Sequence, residues 1–130
     1  MPDPIPVKQV IVMRHDLKMR RGKQVAQGAH ASIAFLCRRL QANDPLSLDD
    51  LDEAQRAWLT GSFAKICCRV DSEEALLEIH DRARDAGLVH LITDSGKTEF
   101  HGQPTNTCLA VGPDRADKID AVTGDLPLLW

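Results

Sequence analysis

The first strong hydrophobic signal is Val7-Lys-Gln-Val-Ile-Val-Met13, an apolar run rich in β-branched residues that predicts a buried strand. Residues 21–40 then change period. Val25, Ala29, Ile33, Leu36 and Leu40 recur at steps of three and four, the apolar stripe of a long helix expected to face the core. Asn43-Asp-Pro45 ends that helix, because the residue before a proline is pushed out of the helical region. Within the acidic stretch 46–61, Ser47-Leu-Asp-Asp50 is a candidate helix start and Trp58 a candidate anchor for the turn that follows. Residues 62–70 read as a second strand. Asp71-Ser-Glu-Glu-Ala75 opens a helix with acids in its first turn, where they favour the dipole. Leu76, Leu77, Ile79 and Ala83 supply its core face, and Gly87 ends it. A third strand spans 88–93, a polar glycine-containing loop 94–106, and a fourth strand 107–111. Gly112-Pro-Asp114 then opens a last helix through Val122, closed by Gly124.

This alternation predicts an α/β domain. Strands separated by helices imply right-handed parallel crossovers, whereas the helix-free link between the third and fourth strands allows an antiparallel pair. A length of 130 residues suits one domain, and 43% hydrophobic residues suffice for a core. No apolar run approaches the roughly 20 residues of a membrane helix, and Met1-Pro-Asp-Pro-Ile-Pro6 reads as a proline-rich lead-in rather than a secretory signal. Cys37, Cys67, Cys68 and Cys108 have neither Cys-x-x-Cys nor zinc spacing, and read as reduced thiols of a cytoplasmic protein. Adjacent Cys67 and Cys68 are expected on opposite faces of the sheet.

The net charge of −3 hides an asymmetry. Residues 8–39 carry eight Lys/Arg against Asp16 alone, a local balance of +7 that leaves −10 in the remainder. One cationic face fits an anionic partner, and a solvated basic helix face is the plainer alternative. Much of that charge (Arg14, Lys18, Arg20, Arg21, Lys23) follows the first strand. Ligands of open α/β sheets bind outside the carboxyl ends of parallel strands. Asp94-Ser-Gly-Lys-Thr98 follows the third strand, so two segments 80 residues apart are expected at one edge.

Lys23, Gln27, His30 and Ala34 share one helix face, distinct from the apolar stripe. Lys23 lies in the first turn, beside unpaired N–H groups and the positive end of the dipole, where a phosphate or oxyanion is stabilised. Gln27 on an alanine-flanked helix needs hydrogen-bond partners if buried. Lys23 taken alone is a solvated lysine, His30 alone a packed histidine, and residues 94–98 alone a turn. As a site, Asp94 and Thr98 handle a water across a substrate-sized gap from Lys23, which stabilises a carbonyl oxyanion. The Gly-Lys-Thr ending is not a P-loop, since Leu91 stands where that motif has glycine. Cys–His catalysis and a metal site on the five histidines both lack the spacing they need.

Three ordered motifs resemble the type-2 peptidyl-tRNA hydrolases. They are Arg14-x-Asp-Leu-Lys-Met-x-x-Gly-Lys-x-x-Ala-Gln-x-Ala-His-Ala31; Asp94-x-Gly-x-Thr98 with Thr107 and Ala110-Val-Gly-Pro113; and Ile119-Asp-x-Val-Thr-Gly-x-Leu126 with Leu128-Leu129. Trp58-Leu-x-Gly61 and Lys65-Ile66 also fit, so the likeness runs from about Lys8 to Leu129. The resemblance implies a three-layer α/β/α sandwich on a four-stranded mixed sheet, usually a homodimer. It implies cofactor-independent, metal-independent cleavage of the ester joining a peptide to the tRNA 3′ ribose. Lys23, Asp94 and Thr98 take the catalytic positions, and Gln27 and Thr107 the substrate-binding ones. Lys18, Arg20 and Arg21 are expected on acceptor-end phosphates, and His30 at the substrate or the dimer contact. The family's Asp-Ala-Gly-Arg-Thr is Asp94-Ser-Gly-Lys-Thr98 here, and the loop 98–107 is one residue longer. A non-catalytic RNA-binding or protein-interaction module on the same fold is the rival, and a small-nucleotide-binding domain a third reading.

Overall fold

The computed structural model describes residues 6–43, 45–86, 88–97 and 99–129. The lead-in 1–5, Asp44, Gly87 and Thr98 lie outside the described residues. The first apolar run forms β1 (Val7–Arg14), an inner strand of a single sheet. Around it lie β2 (Lys65–Val70), β3 (Val89–Asp94) and β4 (Thr105–Arg115), in the order β2-β1-β4-β3. β1 and β2 run parallel, whereas β4 is antiparallel to both β1 and β3. β3 therefore points the same way as β1. Met13 and Ile92 both pair with Cys108 on the intervening β4, which brings the carboxyl ends of β1 and β3 to one edge.

The helices complete three layers. On one face, α3 (Glu73–Ala86) and α4 (Ala116–Thr123) bury Leu76, Ile79, Ile119 and Val122 against Val10, Val12, Cys68, Leu109 and Val111. On the other, α1 (Arg21–Gln41) packs Ala31 against Ile11, Met13, Cys108 and Ala110. Beside it α2 (Glu53–Thr60) is capped by Asp52, which accepts from Gln55 N–H, and joins Trp58 to Phe35 and Leu51. The strict alternation along β1 divides its side chains between the two layers. Cys68 is buried and Cys67 exposed, the opposite orientations expected of neighbours in a strand.

Three expectations are corrected. The stripe of α1 does not face the core: Val25, Ile33 and Leu40 are 67%, 50% and 56% exposed. The face that meets the sheet carries Gln27, Gly28, Ala31 and Ala34, with Phe35 beside them. Small residues let the helix axis approach the strands closely, which outweighs the larger apolar area on the other side. Val25, Ile33 and Leu36 instead line an open groove of about 1030 Å³ over β1 and β2, with Met19, Phe63 and Leu129. Second, Gly112-Pro-Asp114 continues β4 rather than starting a helix. Val7 pairs with Arg115 and Lys8 with Asp114, so the strand runs four residues past its expected end. Gly112 has φ +93°, and a Cβ there would lie 2.7 Å from Ile119 Cδ1. Third, residues 62–64 are the turn after α2, where Trp58 Nε1 donates to the Ala64 carbonyl at 2.8 Å, and β2 begins only at Lys65.

Candidate active site

The two segments converge. From the first turn of α1, Lys23 Nζ donates to Asp94 Oδ1 at 2.8 Å, and the side chains are only 17% and 12% exposed. One helical turn on, Gln27 Nε2 donates to the same oxygen at 3.3 Å. Gln27 Oε1 in turn accepts from the Thr107 hydroxyl on β4. The buried amide is thus satisfied at both ends, and three elements join in one line from Thr107 through Gln27 to Asp94 and Lys23. The expected gap between Asp94 and Lys23 is corrected to a direct ion pair, because the end of β3 and the first turn of α1 bring two largely buried, oppositely charged side chains within reach of each other.

The hydrogen bond from Lys23 holds the Asp94 carboxyl below its ordinary range, and burial opposes it. The Gly96 N–H on Oδ2 at 2.8 Å and the charges of Lys23 and His30 act with Lys23's hydrogen bond. Asp94 is therefore a carboxylate at neutral pH. Gly96 can fold back in this way because its φ is +82°, and a Cβ would lie 2.2 Å from the Gln103 carbonyl oxygen. Gly96 is the glycine of the Asp94-x-Gly-x-Thr98 motif, where sequence reasoning assigned it a place but no role.

The cationic residues divide. Arg14 is drawn into the scaffold: it grips Asp16 through two bonds of 3.1 and 2.7 Å and donates to the Asn106 carbonyl at 3.1 Å. Arg20, the residue before α1, donates to Glu99 at 2.9 Å, tying the loop after β3 to the helix start. Lys18 and Arg21 are exposed on the rim of the apolar groove, and His30 is exposed one turn beyond Gln27. No acid stands in the first turn of α1 and the side chain of its N-cap residue, Arg20, does not cap it, so its N-terminal dipole favours an anion.

A sequence profile of the peptidyl-tRNA hydrolase PTH2 family matches residues 7–129. Peptidyl-tRNA hydrolases of Methanopyrus kandleri and Methanocaldococcus jannaschii are 43% and 40% identical to this chain. The first match covers 94% of this chain and 97% of that protein, the second 95% and 100%. The chain belongs to the PTH2 family of peptidyl-tRNA hydrolases. A solved structure from Agrobacterium tumefaciens, titled a protein of unknown function, superposes with a TM-score of 0.59 at 16% identity. It covers 95% of this chain and 98% of that one, a likeness of fold alone.

Family membership makes the chain an enzyme, a hydrolase of peptidyl-tRNA, and sets aside the non-catalytic module. Three of its cysteines offer no activated nucleophile: burial pushes the Cys108 thiol up to about 12, and desolvation raises Cys67 and Cys68 as well. Among the described residues no group of three or more His, Cys, Asp or Glu is placed to hold a metal ion, and no helix is long and apolar enough to cross a membrane.

Proposed function

We propose that the enzyme cleaves the ester between the peptide and the tRNA 3′ ribose at the Lys23–Asp94 pair, with no cofactor. The observation that carries this reading is the 2.8 Å contact between these residues, 71 positions apart, completed by Gln27 and Thr107. Asp94, ionised but weakly basic, accepts a hydrogen bond from the attacking water and orients it, with Thr98 as a second holder. The water oxygen bonds to the ester carbonyl carbon, and the bond from that carbon to the ribose 3′ oxygen breaks. The proton released by the water ends on the departing 3′ hydroxyl. Lys23 has three N–H donors, so it can keep Asp94 and turn toward the carbonyl oxygen as charge builds there. Gln27, held by Thr107, positions the ester. Lys18, Arg20 and Arg21 take acceptor-end phosphates, a salt-dependent contact without sequence reading; Arg20 then exchanges Glu99 for phosphate. His30, exposed beside Gln27, borders the bound substrate.

Release of free tRNA from an N-blocked aminoacyl-tRNA tests the reaction. The purified protein is expected to release it at the same rate with and without a chelator. Absence of release in either condition would remove the hydrolytic reading.

The same reading places the enzyme in the cytoplasm, where the substrate arises, and four free thiols suit a reducing compartment. It also makes the enzyme a homodimer. The groove beside α1 exposes Val25, Ile33 and Phe63, half or more of each in water, a patch of the kind that self-association covers. Sedimentation should give twice the chain mass for the native protein and the chain mass for Ile33→Asp. Equal masses for both would place any dimer contact elsewhere.

A further inference from the structure

The polar contacts of α1 with β3 do not stop at Asp94. Fifteen residues beyond Lys23, at the far end of the helix, Arg38 Nη1 lies 2.9 Å from His90 Nδ1, and Nη2 donates to the Leu91 carbonyl. A guanidinium can only donate, so His90 Nδ1 is the acceptor and the ring hydrogen sits on Nε2. Burial, with the charge of Arg38, pulls His90 down to about 4, so the ring is neutral at neutral pH. Its Nε2 is buried and has no hydrogen-bond partner among the described residues. Such an orphan donor destabilises a fold, and an apolar side chain at position 90 would avoid it.

The placement is regular. His90 and Asp94 stand four residues apart on one face of β3, while Lys23, Gln27, Ala34 and Arg38 share the facing side of α1. Fifteen helical residues span about 22 Å and four strand residues about 13 Å. Helical side chains lean toward the helix N-terminus, and the long arginine makes up the difference. β3 is an edge strand of the sheet, paired among the described residues with β4 alone, so no strand described on its outer side holds it in register. α1 lies across it and touches it with charged groups at both ends.

We propose that Arg38 is a positioning residue of the reaction: by tying the far end of α1 to His90 and Leu91, it holds the helix along the edge strand so that Lys23 meets Asp94. This rests on the reading of Lys23 and Asp94 as the reacting centre. The Arg38 contact contributes nothing to the chemistry directly. Without it the helix slides or tilts on its small residues, and the two reacting groups separate.

Arg38→Ala is expected to lower kcat roughly tenfold with KM nearly unchanged, the signature of lost alignment. The charged groups facing Asp94 are Lys23 and His30, both from α1, so a displaced helix also moves the acid limb of kcat/KM to higher pH. Arg38→Lys should recover part of the rate, because an ammonium can reach the Leu91 carbonyl but cannot also hold His90. His90→Leu removes the orphan donor, so its melting temperature should hold or rise while kcat falls. A contact that only stabilises the fold would make rate and melting temperature fall together. Native kcat and acid limb in both Arg38→Ala and His90→Leu overturn the proposal, as do rates that merely follow melting temperature. Asp94→Asn, assayed alongside, separates the two readings. If it is inactive while the Arg38 variants behave as native, the centre stands and the positioning role falls; if it is active, the centre falls and takes the positioning role with it.

Discussion

Asp94→Asn is expected to slow peptidyl-tRNA hydrolysis by roughly 10²–10⁴-fold while leaving tRNA affinity close to native. Asparagine keeps the shape of the side chain but removes the negative charge and one acceptor oxygen. Lys23 then faces a neutral amide, Gln27 loses an ionised acceptor, and an attacking water loses the group that orients it. Lys18 and Arg21, the cations proposed for phosphate, lie at the groove rim and are untouched by the change. Single-turnover cleavage and equilibrium tRNA binding, measured on the same variant, separate the two effects. Native single-turnover rates would remove Asp94 from the mechanism.

Lys23→Met should cost roughly 10²–10³ in kcat, the scale seen when one donor to a developing oxyanion is removed. A second effect follows from electrostatics. The Lys23 hydrogen bond is the largest influence holding Asp94 below its usual range. Without it, burial acts with less opposition, and the carboxyl value rises. In the native enzyme the active carboxylate form persists at neutral pH and is lost only as pH falls through that depressed value. The acid limb of Lys23→Met should therefore lie at higher pH than the native limb. Stability follows the same sign: the contribution of Asp94 is complete above the unfolded value of about 3.9 and disappears as pH falls through the lower folded one. An unmoved acid limb in Lys23→Met would mean that a group other than Asp94 governs the profile.

The convergence of Lys23 and Asp94 is legible in the sequence, because it needs only two local facts and one general rule. Each residue follows an apolar run that must be a strand, and parallel strands present their carboxyl ends together. The amide logic of Gln27 was legible for the same kind of reason: a buried amide demands partners, and Thr107 and Asp94 meet that demand. The orientation of α1 was not legible. Its apolar stripe is the stronger periodic signal, yet Gly28, Ala31 and Ala34 face the sheet. Periodicity reports which side is greasy, whereas packing is decided by which side can come close. Arg14 misled in a similar way, since its charge suggested a ligand contact and its guanidinium is consumed by Asp16 and the Asn106 carbonyl.

By itself the chain's order of residues determined the succession of strands and helices, the parallel crossover, the cationic start of α1 and the residues that meet at its edge. These depend on local chemistry: β-branching, caps, turn residues and the polarity of a helix end act within a few positions. Only the tertiary structure decided that Lys23 and Asp94 touch rather than flank a gap, that β4 runs to Arg115, that an apolar groove opens beside α1, and that Arg38 reaches His90. Those outcomes turn on distances between segments far apart in the chain. Close packing of small residues, long side chains and buried polar groups sets them jointly, and no local pattern records the result.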